Sequence, residues 1–256
     1  MIKLLRSNLI RITKSKTFWI CSAVYILYAI ILLIFQPLSL SIGNDKKTFI
    51  NLGYCGSPLT GFVILIYVSV IIGEEFRTNA IRNKISIGHS KSKIYLSNLL
   101  AFSICALAVN LIFSLIFWSV TTKGDLISLI DTAYDAKGIF WCLFLNALTI
   151  VFYVSIYNLI IMCTKNTVLS IICGVILTTC AYFISQLLIV EYQFESLIYL
   201  YPTGIDTMIA NGIAIIHIYL FAKTSFMPIF IVLASPCMIA LTNVIGVKIF
   251  KKSDIH

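Results

Sequence analysis

Charge is scarce in this chain: 11% of its 256 residues are Asp, Glu, Lys or Arg, while 60% are hydrophobic. A soluble domain has about 25% charged and roughly 45–50% apolar residues, so a water-solvated globule is excluded. Acidic residues are the scarcest, ten against nineteen basic ones, and the net charge is +9. No basic groove with interleaved aromatics goes with that charge, so nucleic acid is not the expected partner. The dipeptide Gly-Lys is missing altogether, and with it any GxxxxGK[ST] loop for binding ATP. There is no CxxC and no HExxH, and His89, His217 and His256 lie far apart, which removes the usual zinc and metal-hydrolase patterns. The eight cysteines, at 21, 55, 105, 142, 163, 173, 180 and 237, fall mostly inside apolar runs and read as small buried hydrophobes.

The rest of the chain is a succession of uncharged windows: Phe18–Gln36, Ser57–Gly73, Leu96–Val120, Ile139–Met162, Val168–Val190 and Pro228–Val247. Each can cross roughly 30 Å of hydrocarbon as a helix of about 20 residues. They predict an all-α integral membrane protein with six transmembrane helices in a single domain, 1–256. Trp19, Trp118 and Trp141 fall near predicted span ends, as in an interfacial aromatic belt. Every charge lies outside the span cores, which speaks against ion-coupled transport. The segment Thr207–Ala222 is uncharged but about 16 residues long, and it follows the turn Tyr201-Pro202-Thr203-Gly204. Residues 191–227 are therefore read as short outer-side helices, re-entrant or interfacial, before span six.

At the N-terminus, Ile2, Leu5, Leu9 and Ile12 recur at spacings of three and four, with Lys3, Arg6, Arg11 and Lys14 around them. This predicts a basic amphipathic helix over 1–16 on the inner membrane surface. A plain topology anchor would use the same cations. The apolar run that follows is too long for a secretory leader and lacks an A-x-A site, so it reads as a retained span. Fourteen of the nineteen Lys and Arg fall on one side of the six spans. The positive-inside rule then puts both termini and the Glu74–Lys93 loop in the cytoplasm.

That loop, the 74–95 region, is the most patterned polar stretch. Phe76, Ala80, Ile81, Ile85 and Ile87 alternate with Arg77, Arg82, Asn83 and Lys84 at helical spacing until Gly88 breaks the run. A second helix starts near Ser90, with Ser90 or Ser92 as its cap. Glu74 and Glu75 read as a hydrated helix end paired with Arg77. The EExxxR pattern of prenyl-protease-like membrane enzymes would need arginine at position 79, where Asn79 stands.

These residues resemble the permease subunits of type-2 ABC transporters, which often read E-(F/Y)-R-x-G-T-I-(R/K)-N after the second span, followed by a Ser-Arg/Lys turn and I-Y-L-S. The matching stretches are Glu75-Phe76-Arg77-Thr78-Asn79-Ala80-Ile81-Arg82-Asn83, Gly88-His89-Ser90-Lys91 and Ile94-Tyr95-Leu96-Ser97. The likeness extends to the basic N-terminal helix, the Ser15–Ile20 stretch and the six-span order. The family's Gly-Thr is Asn79-Ala80 here. Asn is the next best residue after Gly for a left-handed backbone, while the Thr hydroxyl is lost.

The resemblance implies a bacterial cytoplasmic-membrane complex of two permeases, identical or paralogous, with a dimer of separate ATP-binding subunits. This chain would bind no cofactor itself, and ATP and Mg would sit on the partner. Coupling to the ATPase would involve Glu75, Arg77, Ile81, Arg82, Asn83, Lys84, Ile85, Ile87, Gly88, Ser90 and Lys91. Arg77, Arg82, Lys84 and Lys91 would meet acidic groups, and Ile81, Ile85 and Ile87 would supply apolar contact. Membrane lipid headgroups are the competing partner for the same cations. Polar residues inside the spans, Asn110, Asn146, Tyr153, Tyr157, Asn158, Ser185 and Gln186, are either a substrate path or interhelical hydrogen-bond partners. Their mildness suits an amphipathic cargo such as an antimicrobial peptide. The alternative is an ATPase-independent membrane protein, a passive transporter or a sensor or assembly subunit.

Overall fold

The structure, a computed structural model, describes residues 1–34, 59–121, 136–190 and 227–252. The segment 191–227, apart from its last residue, lies outside the described residues, as do the side chains of Ser185 and Gln186. Eight α-helices and no strand occur among the described residues: α1 Ile2–Lys14, α2 Lys16–Ile34, α3 Leu59–Arg77, α4 Ala80–Ser86, α5 Lys91–Thr121, α6 Ala136–Thr164, α7 Thr167–Val190 and α8 Met227–Lys252. Among the described residues three stretches, Leu59–Arg77, Lys91–Ile116 and Asn146–Thr164, are long and apolar enough to cross a membrane. The chain is consistent with a helical membrane protein.

Several helices run past the uncharged windows into charged residues. The third window begins at Leu96, for example, but α5 begins at Lys91. Absence of charge marks what can sit in hydrocarbon, whereas backbone hydrogen bonding continues into the interface.

Helix α6 packs against α3, α5, α7 and α8, while α2 lies against α3 and α5. Leu65, Val68, Ile72, Phe102, Tyr157 and Ile161 fill the core. Lipid is as apolar as these side chains, so close packing and interhelical hydrogen bonds hold such a bundle together. Hydroxyl pairs join its helices: Ser69 with Ser170 at 3.0 Å, Tyr157 with Thr178 at 2.8 Å and Ser155 with Thr242 at 2.6 Å. Each contributes about 0.6 kcal/mol by analogy with other helical membrane proteins.

Helices α3 and α7 approach closely at Gly73, where a Cβ would stand 1.9 Å from Thr167 Oγ1 and 3.0 Å from Thr167 Cβ. Gly73→Val is therefore expected to push α3 from the start of α7, at a cost of about 1–3 kcal/mol. A lowered unfolding temperature in detergent checks this, and an unchanged one would show that the two helices do not meet there.

Among the described cysteines, only Cys21 and Cys105 are buried, whereas Cys163, Cys180 and Cys237 are exposed on the helix surfaces. The expectation of uniformly buried cysteines is corrected to that extent. A thiol is apolar enough to face lipid as readily as a core.

Candidate functional site

The turn between α6 and α7 stands at the same end as the end of α3, because Gly73 faces Thr167. Lys91 Nζ donates to the Lys251 carbonyl at 3.2 Å, bringing the end of α8 to the start of α5. The basic segments read from the sequence thus gather at one end of the bundle.

The turn that launches α4 depends on Asn79, which adopts a left-handed conformation with φ 55° and ψ 19°. This is the geometry expected of Asn in place of the usual Gly, since its short polar side chain tolerates that region. Gly88 closes the helix with φ +95°. The backbone N–H of Ile94 bonds to the Ser90 carbonyl at 3.1 Å, so α5 starts where Ser90 was expected to cap it.

Under α4 lies a buried ion cluster that the sequence did not announce. Glu75 is 2% exposed, and its carboxylate pairs with both Arg11 of α1 and Lys84 of α4. Asn98 of α5 donates its amide to the second Glu75 oxygen at 3.2 Å. Asn8 of α1 accepts from Lys84 at 3.0 Å and donates to Ser97 Oγ at 3.0 Å and to Asn98 Oδ1 at 2.6 Å. Five polar side chains from α1, α4 and α5 are thereby tied around the one carboxylate of α3.

Three expectations are corrected here. Glu75 is neither hydrated nor paired with Arg77; its partners are Arg11 and Lys84. Lys84, expected to reach an outside partner, is turned inward to Glu75 and Asn8. Ile81, expected to supply apolar contact to that partner, is 1% exposed and belongs to the core. Long-range burial causes all three, because a helix docked on a bundle turns one face away from water whatever the local spacing.

The N-terminal helix is corrected in the same way. Its buried stripe is Leu4, Asn8 and Ile12, while Ile2 is largely exposed and Leu5 and Leu9 are only partly buried against the core. Arg11, placed on the polar face by its charge, points to Glu75. Sequence reasoning gave Arg11 only a surface or topology role and Ser97 only a place in the resembling motif, and assigned none to Asn8 or Asn98. The one available signal was Asn8 standing i, i+4 between two buried apolar residues.

Burial lowers the Arg11 guanidinium to about 10, against an opposing effect of Glu74. Lys84 is lowered further, to about 7, first by burial and then by the Arg11 charge. With two cations sharing one carboxylate, the ammonium is the group that gives up its proton. In the unfolded chain Lys84 keeps its proton up to its ordinary pKa of 10.5. Above pH 7 the unfolded state therefore binds more protons, and stability should rise with pH. The unfolding temperature is expected to increase from pH 7 to about 7.8, short of the ordinary thiol pKa of about 8.5. Lys84→Met should flatten that slope, and a slope that persists in the variant would remove Lys84 as its source.

The outer side of the α4 segment is open. Arg77, Arg82, Asn83, Ile87, Gly88 and Ser90 are exposed, Ile87 at 78%, and Ile85 and Lys91 are half-buried. Between this segment and the α6–α7 turn lies a cleft of about 550 Å³ lined by Arg77, Arg82 and Lys165 among others.

The polar residues of the spans divide around α3. Tyr25 of α2 hydrogen-bonds Thr60 at 2.8 Å and donates to Asn110 Oδ1 at 3.2 Å. On the other side, Tyr153 and Tyr157 stack with ring centres 5.9 Å apart and lie against Gly61. Asn158 donates to the Tyr95 carbonyl at 3.5 Å, and Asn146 is buried. Each of these contacts joins or braces helices.

Compared with known proteins, the chain matches no family model, and no curated protein matches it in sequence.

Proposed function

We propose that this chain is the membrane-spanning permease subunit of an ATP-driven exporter of the type-2 ABC class. In this reading α2, α3, α5, α6, α7 and α8 are the six transmembrane helices, and both termini lie in the cytoplasm of a bacterial cell. A second copy or paralogue completes the pathway, and a dimer of separate ATP-binding subunits, holding ATP and Mg, docks on the α4 side. The chain itself does no chemistry. Its cargo is amphipathic, such as an antimicrobial peptide, because the polar groups inside the helices are neutral amides and hydroxyls.

The observation that supports this reading best is the two-sided character of α4. Its inner side is clamped through Ile81 and the Glu75 cluster, while its outer side offers Arg82, Asn83 and an exposed Ile87. A helix fixed to several others can transmit a push from a partner without folding away under it. A loop that served only membrane topology would need the cations and not the clamp.

The test is co-purification with a candidate ATP-binding chain. Ile87→Asp with Arg82→Glu is expected to weaken binding roughly thirtyfold, as loss of an interface hot spot does, and to abolish permease-dependent ATP turnover. Wild-type binding and turnover in that variant would refute the docking assignment.

A further inference from the structure

The cleft between the end of α3, α4 and the α6–α7 turn joins cations to an apolar track that ATPase docking does not explain. Its lining includes Arg77, Asn79 and Arg82 on one wall and Lys165, Asn166 and Val168 on the other. Arg77 and Arg82 form no ion pair among the described residues. Among the described residues the one carboxylate in the lining, Glu75, is already held by Arg11, Lys84 and Asn98. Arg77 and Arg82 therefore bring positive charge to a concave space, and arginine's planar fork matches phosphate oxygens.

Directly beside this cation-lined space an apolar track begins. Val168 lines the cleft and is 66% exposed. Leu169, Ile172 and Ile176 continue down the same face of α7, all exposed. A free anion would have no use for that track, and a protein segment lying on the cytoplasmic side would not follow it into the bilayer. A molecule with an anionic head and hydrocarbon chains fits both parts.

We propose that this cleft is a binding site for an anionic phospholipid of the cytoplasmic leaflet. Its phosphate lies between Arg77, Arg82 and Lys165, and an acyl chain runs along Val168, Leu169, Ile172 and Ile176. Because the head group touches both the α3–α4 corner and the α6–α7 turn, a bound lipid braces the two against each other. The site shares Arg82 with the proposed docking surface but does not rest on the ATPase reading.

Native mass spectrometry of the full chain in detergent, titrated with phosphatidylglycerol, tests it. Arg77→Gln with Arg82→Gln is expected to weaken binding roughly thirtyfold, the combined attraction of two cations near an anionic lipid. Lys165→Gln should weaken it by a smaller factor. Lys3→Gln with Arg6→Gln removes the same charge from the start of α1, at exposed residues outside the cleft lining, and should leave binding at the wild-type level. Equal loss in both double variants would show general charge attraction and overturn the site, as would unchanged binding in Arg77→Gln with Arg82→Gln. Equal retention of phosphatidylcholine would remove the phosphate-charge argument. Full competition by glycerol phosphate would make the ligand a free phosphate and not a lipid. Loss of ATP-binding-chain co-purification with phosphatidylglycerol binding unchanged would assign the cleft to the protein partner and end the proposal.

Discussion

Glu75→Ala is expected to lower the stability of the chain by about 3 kcal/mol, the lower end of the loss when one member of a buried ion pair is removed. Glu75 is almost wholly buried, and the side chains of Arg11 and Lys84 are only 31% and 17% exposed. Without the carboxylate, two cations face each other in a poorly hydrated space, and Asn98 loses its acceptor. The measurement is the unfolding midpoint in detergent, by heat or by added denaturing surfactant. The cluster also predicts a rescue. Glu75→Leu combined with Arg11→Met and Lys84→Met should recover most of the loss, since apolar residues of similar size avoid the desolvation cost of all three charges. If the combined variant is instead as unstable as the sum of its single changes, the three groups do not act as a unit. A wild-type midpoint for Glu75→Ala would show that the cluster holds nothing together.

The second large effect separates two isoleucines six residues apart on the same short segment. Ile81→Ala is expected to cost about 2–5 kcal/mol, because a buried Ile leaves a cavity among the surrounding core side chains. Ile87→Ala should change stability by no more than about 0.5 kcal/mol, as exposed substitutions usually do. Under the proposed function the ranking reverses for ATPase binding measured on folded protein. There Ile87→Ala should weaken association, while any Ile81 effect should follow the amount of folded chain. Equal stability losses at both positions would contradict the observed placement of α4.

The α4 segment also shows how far the sequence could be read. Its helical spacing, the break at Gly88, the restart near Ser90 and the turn at Asn79 are all local properties, and the structure has each of them. Which face of α4 points inward was not legible. Ile81 and Ile87 are both isoleucines in a mixed polar run, and only the packing of α4 on α3 and α5 decides which of them is covered. The same holds for Glu75, whose partners lie 64 positions upstream, at Arg11, and nine downstream, at Lys84. Neighbouring residues suggested Arg77, but a long-range pairing won because burial strengthens attraction between charges that a hydrated pair would barely feel.

By itself the amino-acid sequence determined that this is a helical chain built for lipid, with its cations gathered into a few segments and a short patterned helix between two apolar runs. These properties depend on composition and on spacing within one helix, and both are local to the chain. Tertiary structure alone decided that Asn8, Arg11, Glu75, Lys84, Ser97 and Asn98 form one buried cluster, and that Arg77, Arg82 and Lys165 share a cleft. Those groupings join residues far apart in the chain, and no local pattern carries them. They exist because helices packed through Gly73, Thr167 and the core bring their ends together, leaving some charges paired in the interior and others facing outward.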